Sequence, residues 1–135
     1  EVRYATADGS LGFKGHAHDL LEKDLESGTR YNRVMAVGCT YMMYRIAEVT
    51  KPHNIRTIVS MNPIMIDGTG MCGSCRVTIG EESKLVCCDG PEFDGHLVDW
   101  IELRHRLGRF TEQEKVSMDL YSDREKMGSC GRHRA

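Results

Sequence analysis

The stretch that decides the fold runs from Asp67 to Cys75 and reads Asp-Gly-Thr-Gly-Met-Cys-Gly-Ser-Cys. Glycines at 68, 70 and 73 alternate in it with residues that carry ligand atoms, and Cys87 follows further along the chain. Glycine permits unusual φ angles and a close approach of the backbone to a bound group. The pattern therefore predicts a loop that wraps around a metal centre, with its last ligand supplied by a hairpin.

The spacing of these residues indicates the kind of centre. It is Asp-x4-Cys-x2-Cys-x11-Cys, whereas plant-type [2Fe–2S] proteins use Cys-x4-Cys-x2-Cys and a more distant Cys. Asp67 thus stands where the first cysteine belongs. A carboxylate is a harder ligand than a thiolate, so we expect one iron to be electronically distinct and the site to be more sensitive to pH than an all-cysteine site. The predicted metal ligands are Asp67, Cys72, Cys75 and Cys87.

Three other interpretations of the cysteines stay open at this point. Zinc also binds Cys-x2-Cys with a distant pair, which would make the chain a structural or interaction module without a redox role. A Cys-x2-Cys dithiol at a helix start is a redox motif, although Cys75-Arg76-Val77 has the pattern of a strand. Cysteines as small hydrophobic residues remain a good description of Cys39, Cys88 and Cys130.

Composition limits the classes of function. The chain has 135 residues, 40% of them hydrophobic, and a net charge of −2, which predicts one domain or two small lobes with a real core. This charge argues against a nucleic-acid-binding protein, and no apolar run is long enough to insert into a membrane. The six cysteines are too clustered for a disulfide scaffold, which favours metal or redox chemistry in a reducing compartment, the cytoplasm.

Outward from the loop, the hydrophobic pattern predicts an α/β fold. Strands at 2–6, 31–37 and 55–60 alternate with helices at 14–27 and 41–49. Such alternation with short loops is typical of a parallel sheet covered by helices. Beyond the loop we expect a hairpin of strands 76–79 and 84–88, and then helices near 101–106 and from Thr111 to about 121 or 124.

Residues 62–77, Cys87 and residues 89–99 closely resemble the electron-transfer flavoprotein subunits of the ferredoxin–NADP reductase superfamily. Members include the small subunit of NADH-dependent reduced ferredoxin:NADP oxidoreductase, the sulfide dehydrogenase and sulfhydrogenase diaphorase subunits, and the dihydroorotate dehydrogenase electron-transfer subunit. In the first of these, residues matching the four predicted ligands hold the cluster. The dihydroorotate relatives have Cys first, so Asp67 places the chain nearer the ferredoxin:NADP or hydrogenase-linked branch.

The resemblance extends to a nucleotide-binding half. Residues 6–15 and Gly38–Met43 resemble family elements that contact a pyridine nucleotide, where strands of a parallel sheet end. Cys39 replaces the usual Pro. The NAD(P)-contacting residues implied are Asp8, Gly9, Gly38 and Met42. The family's flavin-binding barrel and Gly-rich phosphate loop have no counterpart in the chain, so it resembles the C-terminal half of a family member.

What the resemblance implies can be stated as expectations. Residues 1–62 form the C-terminal part of an NAD(P)-binding α/β domain, and residues 63–135 form a [2Fe–2S] lobe with a hairpin and C-terminal helices. The lobe relays electrons between FAD and a catalytic or flavin-containing partner subunit, and the chain alone is not a complete enzyme.

The histidines add little at this level. His96 follows the hairpin closely and is either a hydrogen-bond donor near the cluster or an ordinary turn residue. The other histidines show no ligand spacing with one another: they are His16, His18, His53, His105 and His133.

Overall fold

The structure is a computed structural model that describes residues 1–129. Cys130, His133 and the end of the expected 63–135 lobe lie outside the described residues. The chain divides into two compact units, Glu1–Leu103 and a second unit that begins at Arg104. The metal-binding loop and the sheets all lie in the first unit.

The elements follow in this order: β1 (Ala5–Thr6), β2 (Phe13–Lys14), α1 (Ala17–Glu26), β3 (Arg33–Val37), α2 (Thr40–Thr50), β4 (Arg56–Ser60), β5 (Arg76–Ile79), β6 (Glu82–Leu85), α3 (Val86–Asp89), β7 (Glu92–Asp94), α4 (Trp100–Leu107) and α5 (Thr111–Ser129). Short 3₁₀ turns cover Lys51–His53 and Gly108–Phe110.

The main sheet has the strand order β3-β4-β7. β3 and β4 run parallel, with Arg33 opposite Arg56 and Val37 opposite Ser60, and α2 connects them. The predicted strand–helix–strand unit is thus present. β7 differs from the expected parallel sheet, since it pairs with β4 in the antiparallel direction. It comes from the polypeptide beyond the metal-binding loop, so that segment completes the sheet.

The core lies between α2 and this sheet. Met43 and Ala47 lie one helical turn apart on the buried side of α2, as the 3.6-residue period requires. Val59 of β4 is fully buried, because alternate residues of a strand face the helix. A Cβ at Gly95 would come within 2.9 Å of Val59 Cγ1, so the absence of a side chain lets the turn after β7 close over the core.

A chain of buried polar groups joins α2, β4 and that turn. The Thr57 hydroxyl lies 2.6 Å from the Thr50 hydroxyl, and both residues are fully buried. Thr50 Oγ1 donates to the Ile46 carbonyl at 2.9 Å and lies 3.0 Å from His96 Nε2. The Thr50 hydroxyl is therefore the group that links the other members of this hydrogen-bonded series.

The region after the hairpin differs from the sequence prediction. β5 and β6 pair antiparallel, with Arg76 opposite Leu85, as expected. The second strand ends at Leu85, however, and Val86–Asp89 forms one helical turn instead of a continued strand. The Leu85 N–H donates to Asp89 Oδ2 at 2.7 Å, which caps this turn. Cys87 and Cys88 therefore lie on a helical turn.

The second unit contains the end of α4 and the long helix α5, which continues to Ser129, beyond the predicted end near 121–124. The side chains of α5 up to Tyr121 are exposed. Within the described residues, no helix combines the length and apolar character needed to cross a bilayer.

Thr50→Val should lower the free energy of unfolding by about 1–3 kcal/mol, because it removes a buried hydroxyl that both Thr57 and His96 face. Urea unfolding of the cluster-loaded protein measures the change. The matched control is Thr29→Val at an exposed position, which should change stability by less than about 0.5 kcal/mol. Equal losses in the two variants would contradict the role given to Thr50.

Candidate metal centre

The loop between β4 and β5 is irregular and is held by specific hydrogen bonds. The Met61 N–H donates to the Pro91 carbonyl at 2.9 Å, and Ser74 Oγ donates to the Ile64 carbonyl at 3.1 Å. The backbone N–H and hydroxyl of Thr69 each donate to a different carboxylate oxygen of Asp67 at 2.9 Å. These hydrogen bonds restrain the path of the loop.

Cys75 and Cys87 form one pair of thiols. Cys75 is 2% exposed, and Cys87 on α3 is half-buried. The Val86 N–H donates to the Cys75 carbonyl at 3.3 Å, which brings the next residue, Cys87, towards Cys75. A hydrogen bond with the Cys75 thiol, followed by burial, raises the pKa of Cys87 to about 11. The two thiols therefore lie near each other.

Cys72 and Asp67 form a second, exposed pair. The Ser74 hydroxyl lies 3.4 Å from Cys72 Sγ and is the main cause of a lowered pKa of the Cys72 thiol, with the Ser74 backbone N–H next. The backbone N–H of Asp67 acts in the same direction, while the Asp67 carboxylate opposes it. Both influences show that Cys72 lies close to Asp67.

This arrangement in two pairs fits a two-iron cluster better than a single ion. A tetrahedral zinc ion needs four ligand atoms at about 2.0–2.3 Å from one point. Among the described residues, no three of the four predicted ligands bring their ligand atoms within 4.8 Å of one another. In a [2Fe–2S] cluster with four protein ligands, the ligands are shared between two irons, and the proximity of Cys75 to Cys87 and of Cys72 to Asp67 is compatible with that division.

Gly70 brings the backbone close to the sulfur atoms. Its N–H lies near the Cys87 sulfur, where it acts to lower the pKa of that thiol, and N–H groups near the sulfurs tune iron–sulfur centres. Its φ angle is +85°, and a Cβ there would lie 2.7 Å from Cys88 Sγ. Gly68 has a similar φ of +79° but open space around it. Cys88 Sγ itself lies 3.6 Å from Cys87 Sγ.

The residues implied in nucleotide binding lie at two places. Asp8 and Gly9 form the turn between β1 and β2, where Asp8 Oδ1 accepts the Ser10 N–H at 3.0 Å. That hydrogen bond lowers the pKa of Asp8. Gly38 and Met42 come together at the junction of β3 and α2, since a Cβ at Gly38 would lie 2.7 Å from Met42 Cε.

Asn62 is a positioning residue that the sequence analysis did not single out. Its Nδ2 donates to the Gly38 carbonyl at 3.3 Å, and its Oδ1 accepts from the Thr40 hydroxyl at 3.4 Å. It thus joins the end of β3 to the first residues of the metal-binding loop. The available signal was its place just after β4, because parallel strands end at the same edge of a sheet.

His96 is a turn residue with its own partners. Its backbone N–H donates to Asp94 Oδ1 at 2.9 Å, and its ring lies beside Thr50. These contacts favour the second of the two interpretations given to it from the sequence.

Comparisons with known proteins agree with this description. Residues 62–99 match the family described as the iron–sulfur cluster binding domain of dihydroorotate dehydrogenase B. The Thermotoga maritima homolog of the dihydroorotate dehydrogenase B (NAD(+)) electron transfer subunit is 45% identical over 121 residues, which are 90% of this chain and 43% of that protein. A probable subunit of the same name from Methanocaldococcus jannaschii is 34% identical over 115 residues, 85% of this chain and 44% of that protein.

A solved structure is also similar. It belongs to work titled "Insights into flavin-based electron bifurcation via the NADH-dependent reduced ferredoxin-NADP oxidoreductase structure". The TM-score is 0.75 at 45% sequence identity, and the match covers 84% of this chain and 41% of the other. The chain spans a little under half the length of these relatives.

The glycine-rich loop and the hairpin lie within the residues that match an iron–sulfur cluster binding domain. Over 85–90% of its length the chain is similar to proteins named as electron transfer subunits of dihydroorotate dehydrogenase B. The resemblance drawn from the sequence is confirmed.

Gly70→Ala should lower the iron bound per chain more than Gly68→Ala does. Both substitutions place a side chain at positive φ, at a cost of about 1–3 kcal/mol, but only Gly70→Ala also drives a Cβ into Cys88 Sγ. Iron analysis and the visible spectrum measure the difference. The double variant Gly70→Ala/Cys88→Ala should recover the Gly68→Ala level. If both single variants lose iron equally, the close contact at Gly70 is not what the loop requires.

Proposed function

We propose that the chain is the iron–sulfur module of a multi-subunit, NAD(P)H-linked flavoprotein oxidoreductase of the ferredoxin:NADP oxidoreductase or hydrogenase type. Asp67, Cys72, Cys75 and Cys87 hold a [2Fe–2S] cluster. The observation that carries this proposal is the arrangement of these four residues in two pairs around one glycine-rich loop. When bound, such a cluster supplies reversible one-electron transfer.

The two pairs have different tasks. Val77 and Val86, both fully buried, fix the start of β5 and of α3, and so hold Cys75 in a buried position and Cys87 in a half-buried one. Cys72 and Asp67 lie in solvent, and one of them is a hard oxygen ligand. Exposure and ligand type thus distinguish the two ends of the site, and the exposed end is where electrons exchange with another protein.

A partner subunit is supported by the surface next to the exposed pair. Ile66 is 74% exposed and Met71 is 85% exposed, and both neighbour a predicted ligand in sequence. Exposed apolar groups beside a functional site are typical of protein interaction surfaces. The relatives are longer than this chain, and their names include NAD(+) or ferredoxin and NADP. We assign FAD and NAD(P) to the complete protein, in which this chain alone is not catalytically complete.

We also propose that the nicotinamide nucleotide contacts Asp8, Gly9, Gly38 and Met42. Support comes from the position of Gly38 and Met42 at the carboxyl end of β3, since open α/β sheets bind ligands at this edge. NADH fluorescence should therefore show saturable binding, and Gly38→Val, which fills the strand end beside Met42, should weaken it. Titration without saturation would overturn this part of the proposal.

Cys75→Ser should abolish the cluster, because it removes the buried thiolate around which the rest of the site packs. The matched control is Cys88→Ser, which changes a neighbouring cysteine outside the proposed ligand set and should retain the cluster. Iron and acid-labile sulfide per chain, measured on anaerobically purified protein with spectra before and after dithionite, test both variants.

The outcomes separate the competing assignments. Wild-type protein should contain about two irons and two sulfides and show a visible band that bleaches on reduction. An unchanged visible spectrum in Cys75→Ser would overturn the ligand assignment. Colourless protein with stoichiometric zinc at the cysteines would overturn the electron-transfer function and favour a zinc-stabilised structural module.

A further inference from the structure

A second group of metal-binding side chains lies at the start of α1, on elements apart from the cysteine loop. It consists of His16, His18 and Asp19, and each offers a ligand atom within 4.8 Å of the other two. From sequence spacing, the histidines show no relation to one another. The structure brings His16 and His18 together: both lie beside the Asp19 carboxylate, and their rings stack with centroids 5.3 Å apart.

The distances in this group match those of a metal site. His16 Nδ1 lies 3.4 Å from Asp19 Oδ2, and His18 Nε2 lies 3.3 Å from Asp19 Oδ1. Both are longer than a good N–H···O hydrogen bond. Ligand atoms at about 2.0–2.2 Å from a tetrahedral zinc ion are separated by about 3.3–3.5 Å. Each histidine–carboxylate distance thus matches that between two ligands of one ion, and the two histidines face different oxygens of Asp19.

The group is also preorganised. Asp19 Oδ2 accepts the His16 backbone N–H at 2.7 Å, which fixes the carboxylate against the start of the helix. The His18 side chain is only 7% exposed and is packed edge-on against Tyr41. Little side-chain entropy of His18 and Asp19 therefore remains to be lost when an ion binds, whereas the His16 side chain is 63% exposed.

His18 presents one ring nitrogen to the group. Nε2 lies 3.3 Å from Asp19 Oδ1 and is the atom that would bind an ion. Nδ1, on the other side of the imidazole, is buried without a hydrogen-bond partner among the described residues and is not a ligand atom of this site.

We propose that His16, His18 and Asp19 bind a divalent transition-metal ion, Zn²⁺ being the best fit, with solvent completing the coordination. Two imidazoles and one carboxylate form a ligand set typical of zinc. The positive end of the α1 dipole opposes a cation here, and the Asp19 carboxylate offsets that opposition. The site does not depend on the cysteine loop, so its test is separate from that of the proposed function.

Zinc chloride titrated calorimetrically into cluster-loaded protein provides the test. His16→Asn and Asp19→Asn should each weaken the histidine-site binding at least about tenfold. Both variants keep the helix start, because Asn is a good N-cap residue and Asp19→Asn retains an acceptor for the His16 N–H; circular dichroism checks this. The matched control is His53→Asn at another exposed histidine, which should bind as wild type does.

Zinc X-ray absorption identifies the ligands in the same samples. A first shell of nitrogen and oxygen that disappears in His16→Asn supports the proposal. A shell containing sulfur, or equal binding in wild type and His16→Asn, overturns it by placing zinc at the cysteines or elsewhere. No saturable binding to wild-type protein also overturns it, and neither result alters the iron content on which the proposed function depends.

Discussion

The pairing that brings Cys87 near Cys75 is the constraint on which the rest of the site depends. The two residues approach each other because the β5–β6 register sets Arg76 opposite Leu85. The Val86 N–H then bonds the Cys75 carbonyl and continues the pairing by one step. Gly80, with a φ of +63°, begins the two-residue turn that fixes this register, as glycine does at the first central position of a tight hairpin turn.

The same pairing explains the change from strand to helix after Leu85. A continued strand would direct successive side chains to opposite faces. Cys87 would then lie on the same face as Leu85 instead of beside Cys75. The helical turn Val86–Asp89 buries Val86 and leaves Cys87 half-buried beside Cys75. Asp89 stabilises the turn through the Leu85 N–H. The local strand propensity of residues 86–88 is thus overridden, because Cys87 lies beside Cys75 only when the chain changes direction after Leu85.

The sequence was sufficient for features that are encoded by short-range spacing. The glycine-rich loop, the β5–β6 hairpin and the alternation of β3, α2 and β4 all follow from residues close together in the chain. Features that depend on tertiary contacts were missed. The antiparallel strand β7 is three residues long and carries no periodic signal, and Asn62 and His18 are defined by partners on other elements. The ligand set itself stays a prediction.

The sheet connects the predicted nucleotide half to the metal-binding half through specific groups. β7 lies after the metal-binding loop and pairs with β4, which precedes it. Asn62 bonds the Gly38 carbonyl at the end of β3, and His96 contacts Thr50 at the end of α2. The contacts of Asn62 and His96 restrain both ends of the segment between them. A loop restrained at both ends loses little further entropy when its ligands close on a cluster, and this restraint extends to the exposed end of the site, where the predicted ligand is Asp67.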